Sequence, residues 1–163
     1  MHGRVLDDGV VTRAKARDLD ALVYAPPFTR WPDVVDRAAA FSDDDLTVVP
    51  GRELFTGDWR TRRHVLALGL ERSVPDFLTL EGTMAELAAQ DALVLVPHPG
   101  FLTVSFGRDH LERYRDQVDA IEVYNPKHPP GTTAVPAGPR RIWGCPPLPP
   151  PTPTSEGLSG SAG

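Results

Sequence analysis

Cysteine is almost absent from this chain of 163 residues, and Cys145 stands alone. A single thiol makes no intramolecular disulfide and no zinc-thiolate cluster, so a disulfide framework and a Cys-based zinc fold are both excluded. Lysine is scarce too, with Lys15 and Lys127 set against fifteen aspartates and a formal net charge of -5. A nucleic-acid surface needs clustered Lys and Arg to neutralise phosphates, so no nucleic-acid partner is expected. The Asp-rich, Lys-poor balance would suit a high-salt cytoplasm, where self-repulsion is screened. Long apolar runs are also missing, and "MHGRVLDDGVVTRAK" has no cationic start followed by an apolar block. The expectation is therefore no membrane span, no secretory signal and a cytoplasmic location.

What is present divides near residue 128. Before it, short apolar runs alternate with stretches of helical period. Strands are expected over 19–25, 46–54, 64–70, 92–98 and 119–125, and helices over 7–18, 31–41, 79–90 and 107–118. In the second helix Pro32 suits the first turn, and Val34, Val35 and Ala38 are expected to share the buried face. Nearly continuous apolar strands separated by helices predict an α/β fold with mostly parallel strands, covered on both faces or closed as a barrel. In either architecture the site lies at the carboxyl ends of the strands. Residues 129–163 have no periodicity and are rich in Pro, Gly and Ser, which reads as a disordered tail following a single domain over 1–128.

Several polar residues fall at expected strand ends. Glu53 follows a buried run and a Pro-Gly turn, and His64 opens "HVLALGL". His98 is set between Pro97 and Pro99, which restrict the backbone and lower the entropy lost in fixing an imidazole. Each has a plainer reading, as a solvated strand-end charge, a satisfied strand histidine and a rigid loop histidine respectively. Glu122 alternates with Ile121 and Val123, and Asn125 at that strand's end either orients a ligand or turns the chain. Arg60, Arg62 and Arg63, just before His64, form either a phosphate clamp or a solvated basic loop. Imidazoles and carboxylates gathered at strand ends are the donor types that bind Zn, Mn or Fe while leaving positions open for water. An ion so held activates water for hydrolysis.

In order along the chain, "DDGVVTRAKARDLDALVYA", "VVPGREL", "HVLALGL", "LVPHPG" and "DAIEVYN" resemble the PHP (polymerase and histidinol phosphatase) domain family of metal-dependent phosphoesterases over about residues 2 to 128. The resemblance implies a distorted β/α barrel with a two- or three-metal cluster at the strands' carboxyl ends, acting on a small phosphorylated substrate. By position it assigns Glu53, His64 and His98 as metal ligands, with His2 as a further one. Glu122 and Asn125 match its later strand-end motif.

The chain also departs from that pattern. Arg4 stands where the family's second N-terminal imidazole belongs, Pro26 and Pro27 replace an Asp-His pair, and the final Asp-x-His motif is absent. The barrel is accordingly expected to be incomplete, and the tail is consistent with a truncated or frameshifted reading of a longer gene. Two functions follow. One is a phosphoesterase using metal-activated water, impaired by missing ligands. The other is a non-catalytic PHP-like fragment or binding protein with at most a partial metal site.

Overall fold

The computed structural model describes residues 6–99 and 104–122. Among these residues nine elements follow one another: α1 (Asp8–Lys15), β1 (Ala21–Tyr24), α2 (Trp31–Ala40), β2 (Thr47–Thr56), β3 (Arg63–Leu68), α3 (Leu80–Ala88), β4 (Leu93–Val96), α4 (Arg108–Arg113) and β5 (Ala120–Ile121). Each expected helix and strand has a counterpart, with β2 running two residues past its expected end, α4 much shorter than its periodicity suggested, and residues 123–125 of the last strand outside the described residues. His2, Arg4, Asn125 and the Pro-rich tail lie outside the described residues.

Local chemistry accounts for the helix starts. The Asp7 carboxylate accepts from the backbone N–H of Val10 at 2.8 Å, and Asp8 opens α1 while Arg13 and Lys15 close it, matching the helix dipole at both ends. The Thr79 hydroxyl does the same for α3, accepting from Gly82 at 3.0 Å. In α2, Pro32 occupies the first turn. Its buried face is Trp31, Val34 and Ala38, with Val35 left 38% exposed. The expectation for Val35 fails because a residue adjacent to Val34 is turned about 100° around a helix, whereas positions three and four apart stack on one face.

The five strands form one sheet in the order β1-β2-β3-β4-β5, curled as a half-barrel. The expectation of mostly parallel pairing needs correction, because β1 and β2 are parallel, β2–β3 and β3–β4 antiparallel, and β4 and β5 parallel. The reason lies in residues 57–62, which are too few to carry the chain back across the sheet for a parallel return, so β3 enters as the reversed arm of a hairpin. β2 serves two partners: its first half pairs with β1 and its second half, from Gly51 onward, with β3. At that junction a Cβ on Gly51 would lie 2.5 Å from Leu68 Cδ2, 3.1 Å from Ala67 O and 3.2 Å from Ala25 Cβ, so a larger residue forces the Leu68 side chain to move and crowds the neighbouring backbone.

The main core joins Val34 of α2, Leu54 of β2, Val65 of β3, Met84 and Leu87 of α3, Val96 of β4 and Phe106, all but fully buried. A second cluster, Leu6, Ala14, Ala38, Leu46 and Val48, seals α1 against β1 and β2. Burying side chains of this size contributes about 1.5–3 kcal/mol each and fixes the sheet on which the polar strand-end groups stand.

Candidate metal centre

The pairing of β2 with β3 decides which side chains meet. Phe55 is opposite His64 and Glu53 opposite Leu66, and side chains two apart on a strand share a face. Glu53, Phe55 and His64 therefore project to the same side of the hairpin. The carboxylate Oε1 of Glu53 lies 3.1 Å from His64 Nδ1, while Phe55 packs its ring 4.0 Å, centroid to centroid, from the imidazole.

His98 reaches this face from β4 by an irregular route. Leu95 pairs with Leu66, so a strand continuing regularly past Val96 would place residue 97, not 98, on the side of His64. The backbone of His98 instead takes a left-handed conformation, φ 46°, immediately before Pro99. For a non-glycine residue that costs on the order of 1–2 kcal/mol, and a residue preceding proline is further restricted. The turn sets His98 Nε2 3.3 Å from His64 Nδ1. Strain held in place by its surroundings points to a functional position.

Ser105 does the holding. Its hydroxyl is buried, lies 2.9 Å from His98 Nδ1 and donates its proton to the carbonyl oxygen of His98. A hydroxyl has one proton to give, so toward the ring Ser105 acts as acceptor and His98 carries its proton on Nδ1. The lone pair of Nε2 is thereby aimed at His64 and Glu53. Nothing local in the sequence pairs Ser105 with His98, and only the return of the chain after residue 103 brings them together. The same return anchors β3, through His64 N–H donating to Val104 O at 3.0 Å.

Donor atoms of Glu53, His64 and His98 all lie within 4.8 Å of one another, and this group can hold a metal ion. Metal–nitrogen and metal–oxygen bonds of about 2.0–2.1 Å at tetrahedral angles put neighbouring donors about 3.3 Å apart, and Glu53 Oε1 and His98 Nε2 lie 3.1 and 3.3 Å from His64 Nδ1. Two imidazoles and one carboxylate leave at least one position for water, as in hydrolytic sites. His64 is 6% exposed, and its Nε2 has no hydrogen-bond partner among the described residues.

Among the described residues, no other candidate joins this group. Glu122 stands at the end of β5, half-buried, with its N–H donating to Val96 O at 2.9 Å. His2 and Asn125 are outside the described residues. The arginine loop is tied to itself: Asp58 Oδ1 accepts from the backbone of Arg60 and Thr61 at 2.7 and 2.8 Å, bonds that hold its carboxyl below the ordinary aspartate range. Arg62 donates to Trp59 O and lies over the Trp59 ring, while Arg63 Nη1 donates to Thr61 O and Arg62 O. Arg63 neighbours His64 on the strand and so leaves the sheet from the opposite face. Arg60 remains exposed. Pro27 forms a parallel backbone bridge with Glu53.

No protein-family model matches the chain, and no curated protein matches it in sequence.

Proposed function

We propose that this chain is a metal-dependent hydrolase of phosphoric esters built on a PHP-like scaffold, with one divalent ion held by Glu53, His64 and His98. The observation that supports it is the convergence of these three donors within 4.8 Å, of types that bind Zn, Mn or Fe. Such an ion, when bound, lowers the pKa of a water molecule and neutralises charge on a phosphoryl group.

The chain's own residues supply the rest. Glu53 contributes the anionic ligand, Ser105 fixes the His98 lone pair, and Phe55 covers one side of His64, limiting water on that side. Pro26 and Pro27 offer no side-chain donors, so the residues fit one ion better than the two- or three-metal cluster that the family resemblance implies. The alternative, a PHP-like binding fragment that retains the ion without turnover, is favoured by those same prolines.

Metal analysis of the purified full chain with turnover of a generic aryl phosphate tests the proposal. The expected outcome is one tightly bound ion per chain and hydrolysis that falls by at least 100-fold in His98→Ala, in line with the loss of a direct ligand compared with the 10–100-fold of an outer partner. Stoichiometric metal without turnover selects the binding fragment, and no stoichiometric metal refutes both readings.

A further inference from the structure

Three aromatic side chains are exposed beside this site: Phe28 at 57%, Phe77 at 49% and Trp59 at 66%. Water contact on three large rings in one region exceeds the scattered apolar exposure ordinary for a protein surface, and such patches mark binding sites. They are also linked to the donor group. His64 packs on Phe55, Phe55 lies 4.5 Å from Phe28, and Phe28 stacks on Phe77 at 6.0 Å with the planes only 21° apart. Phe77 continues into an open groove of about 530 Å³ that it lines with Gly57, Asp58, Trp59 and Thr79.

The backbone under the two phenylalanines is strained, and each strained turn is fastened. Phe28 has φ 52° and Phe77 φ 66°, uncommon for bulky residues. Phe77 N–H donates to Phe55 O at 2.6 Å, and the preceding Asp76 accepts from Phe55 N–H at 3.0 Å and from Arg52 at 2.7 Å. Phe28 follows Pro27, which is bridged to Glu53 and accepts from the Thr29 hydroxyl at 3.1 Å. β2 thus carries a metal ligand and both aromatic supports within three residues, Glu53 to Phe55. Of the groove's polar groups, Asp58 Oδ1 is taken by its own loop and the Thr79 hydroxyl by the cap of α3. Most of what the groove offers a ligand is therefore the π surface of Phe77 and Trp59.

We infer that Phe28 and Phe77, with Trp59 across the groove, form a stacking platform for a planar aromatic ring in the esterified alcohol of the substrate, so that the site takes aryl phosphoesters in preference to aliphatic ones. This rests on the metal-hydrolase reading above. Apolar stacking supplies affinity for the ring in both ground and transition state, so it enters KM and leaves kcat nearly unchanged.

The test uses the full chain with 1-naphthyl phosphate, phenyl phosphate and glycerol phosphate. Affinity is expected to fall in that order. Phe28→Leu and Phe77→Leu are each expected to raise KM for the two aryl esters by about 3- to 10-fold, the worth of one aromatic contact, with kcat and the constants for glycerol phosphate unchanged. Equal KM for aryl and glycerol esters, or aryl constants unmoved by both substitutions, overturns the platform while leaving the hydrolase reading intact. Where there is no turnover, the hydrolase reading fails on its own, and calorimetric titration with the same three compounds decides the platform. A preference for 1-naphthyl phosphate that both variants lose supports it, and no preference or no binding overturns it. Circular dichroism of the variants confirms folding.

Discussion

Replacing Ser105 by alanine isolates the part of the centre that prepares a ligand without being one. In the native chain the Ser105 oxygen accepts from His98 Nδ1 at 2.9 Å and gives its proton to the His98 carbonyl, so ring and backbone are held by one buried hydroxyl. Its loss removes the hydroxyl that accepts from His98 Nδ1–H in the tautomer that serves the metal. The competing tautomer, protonated on Nε2, has no lone pair to offer the ion. Loss of an outer partner of this kind costs about 10–100-fold in metal affinity, equivalent to about 1.4–2.7 kcal/mol. Competition between the protein and a chromophoric chelator for Zn²⁺ at fixed pH measures this directly. Ser105→Thr keeps the hydroxyl and should recover most of the affinity, which distinguishes loss of the hydrogen bond from loss of packing. A Kd for Ser105→Ala within 3-fold of wild type, in a chain where His98→Ala removes binding, would refute the argument from tautomer and strain.

Three further outcomes follow from the frame around the site. Gly51→Ala should destabilise by about 1–3 kcal/mol, the cost of overpacking, since the new Cβ meets Leu68 at 2.5 Å; an unchanged urea midpoint would show that β2 and β3 can separate freely there. Asp76→Ala should lose about 3–5 kcal/mol by stranding Arg52, whose side chain is 8% exposed, and Arg52→Met with Asp76→Leu should restore much of it; a loss under 1 kcal/mol in the single variant would count against the pair. Burial, reinforced by Arg63 and Arg113 and opposed by Asp109, holds the His110 imidazole below its ordinary pKa. The folded chain then resists a proton that the unfolded chain accepts, so this contribution is complete above about pH 6.5 and is lost as pH falls below it. His110→Gln should flatten the urea midpoint between pH 7.5 and 5 relative to wild type, and parallel profiles would remove His110 as the cause.

Much of this was legible in the sequence where the determinant is local. Asp7, Pro32 and Thr79 act within one helical turn, so the starts of α1, α2 and α3 could be read from spacing alone. Glu53, His64 and His98 stood out because each closes or opens an apolar run. The direction of β3 was harder, since "GDWRTR" has the length of a hairpin loop but lies between strands otherwise followed by helices. Ser105 and the ring chain from Phe55 to Phe77 were not legible at all. Their partners are set by which strands pair and by how the chain returns after residue 103, and neither has a period or a motif. Trp59 and the arginines were visible, yet their attachment to their own loop's carbonyls depends on backbone directions that composition does not specify.

The bridge between Pro27 and Glu53 ties the backbone ahead of Phe28 to the strand that carries the carboxylate. A polar pair at 26 and 27 would bring charge and bound water next to the Glu53 carboxylate. Proline brings neither, and its fixed φ carries the chain directly into Phe28, whose ring closes over Phe55 and thus over the wall of His64. Phe28 is itself 57% exposed and Pro26 and Pro27 are half-buried, so this side of the centre is apolar yet open to water. Polar side chains placed at 26 and 27 would find no hydrogen-bond partner in the Phe28 ring and would be satisfied by water instead.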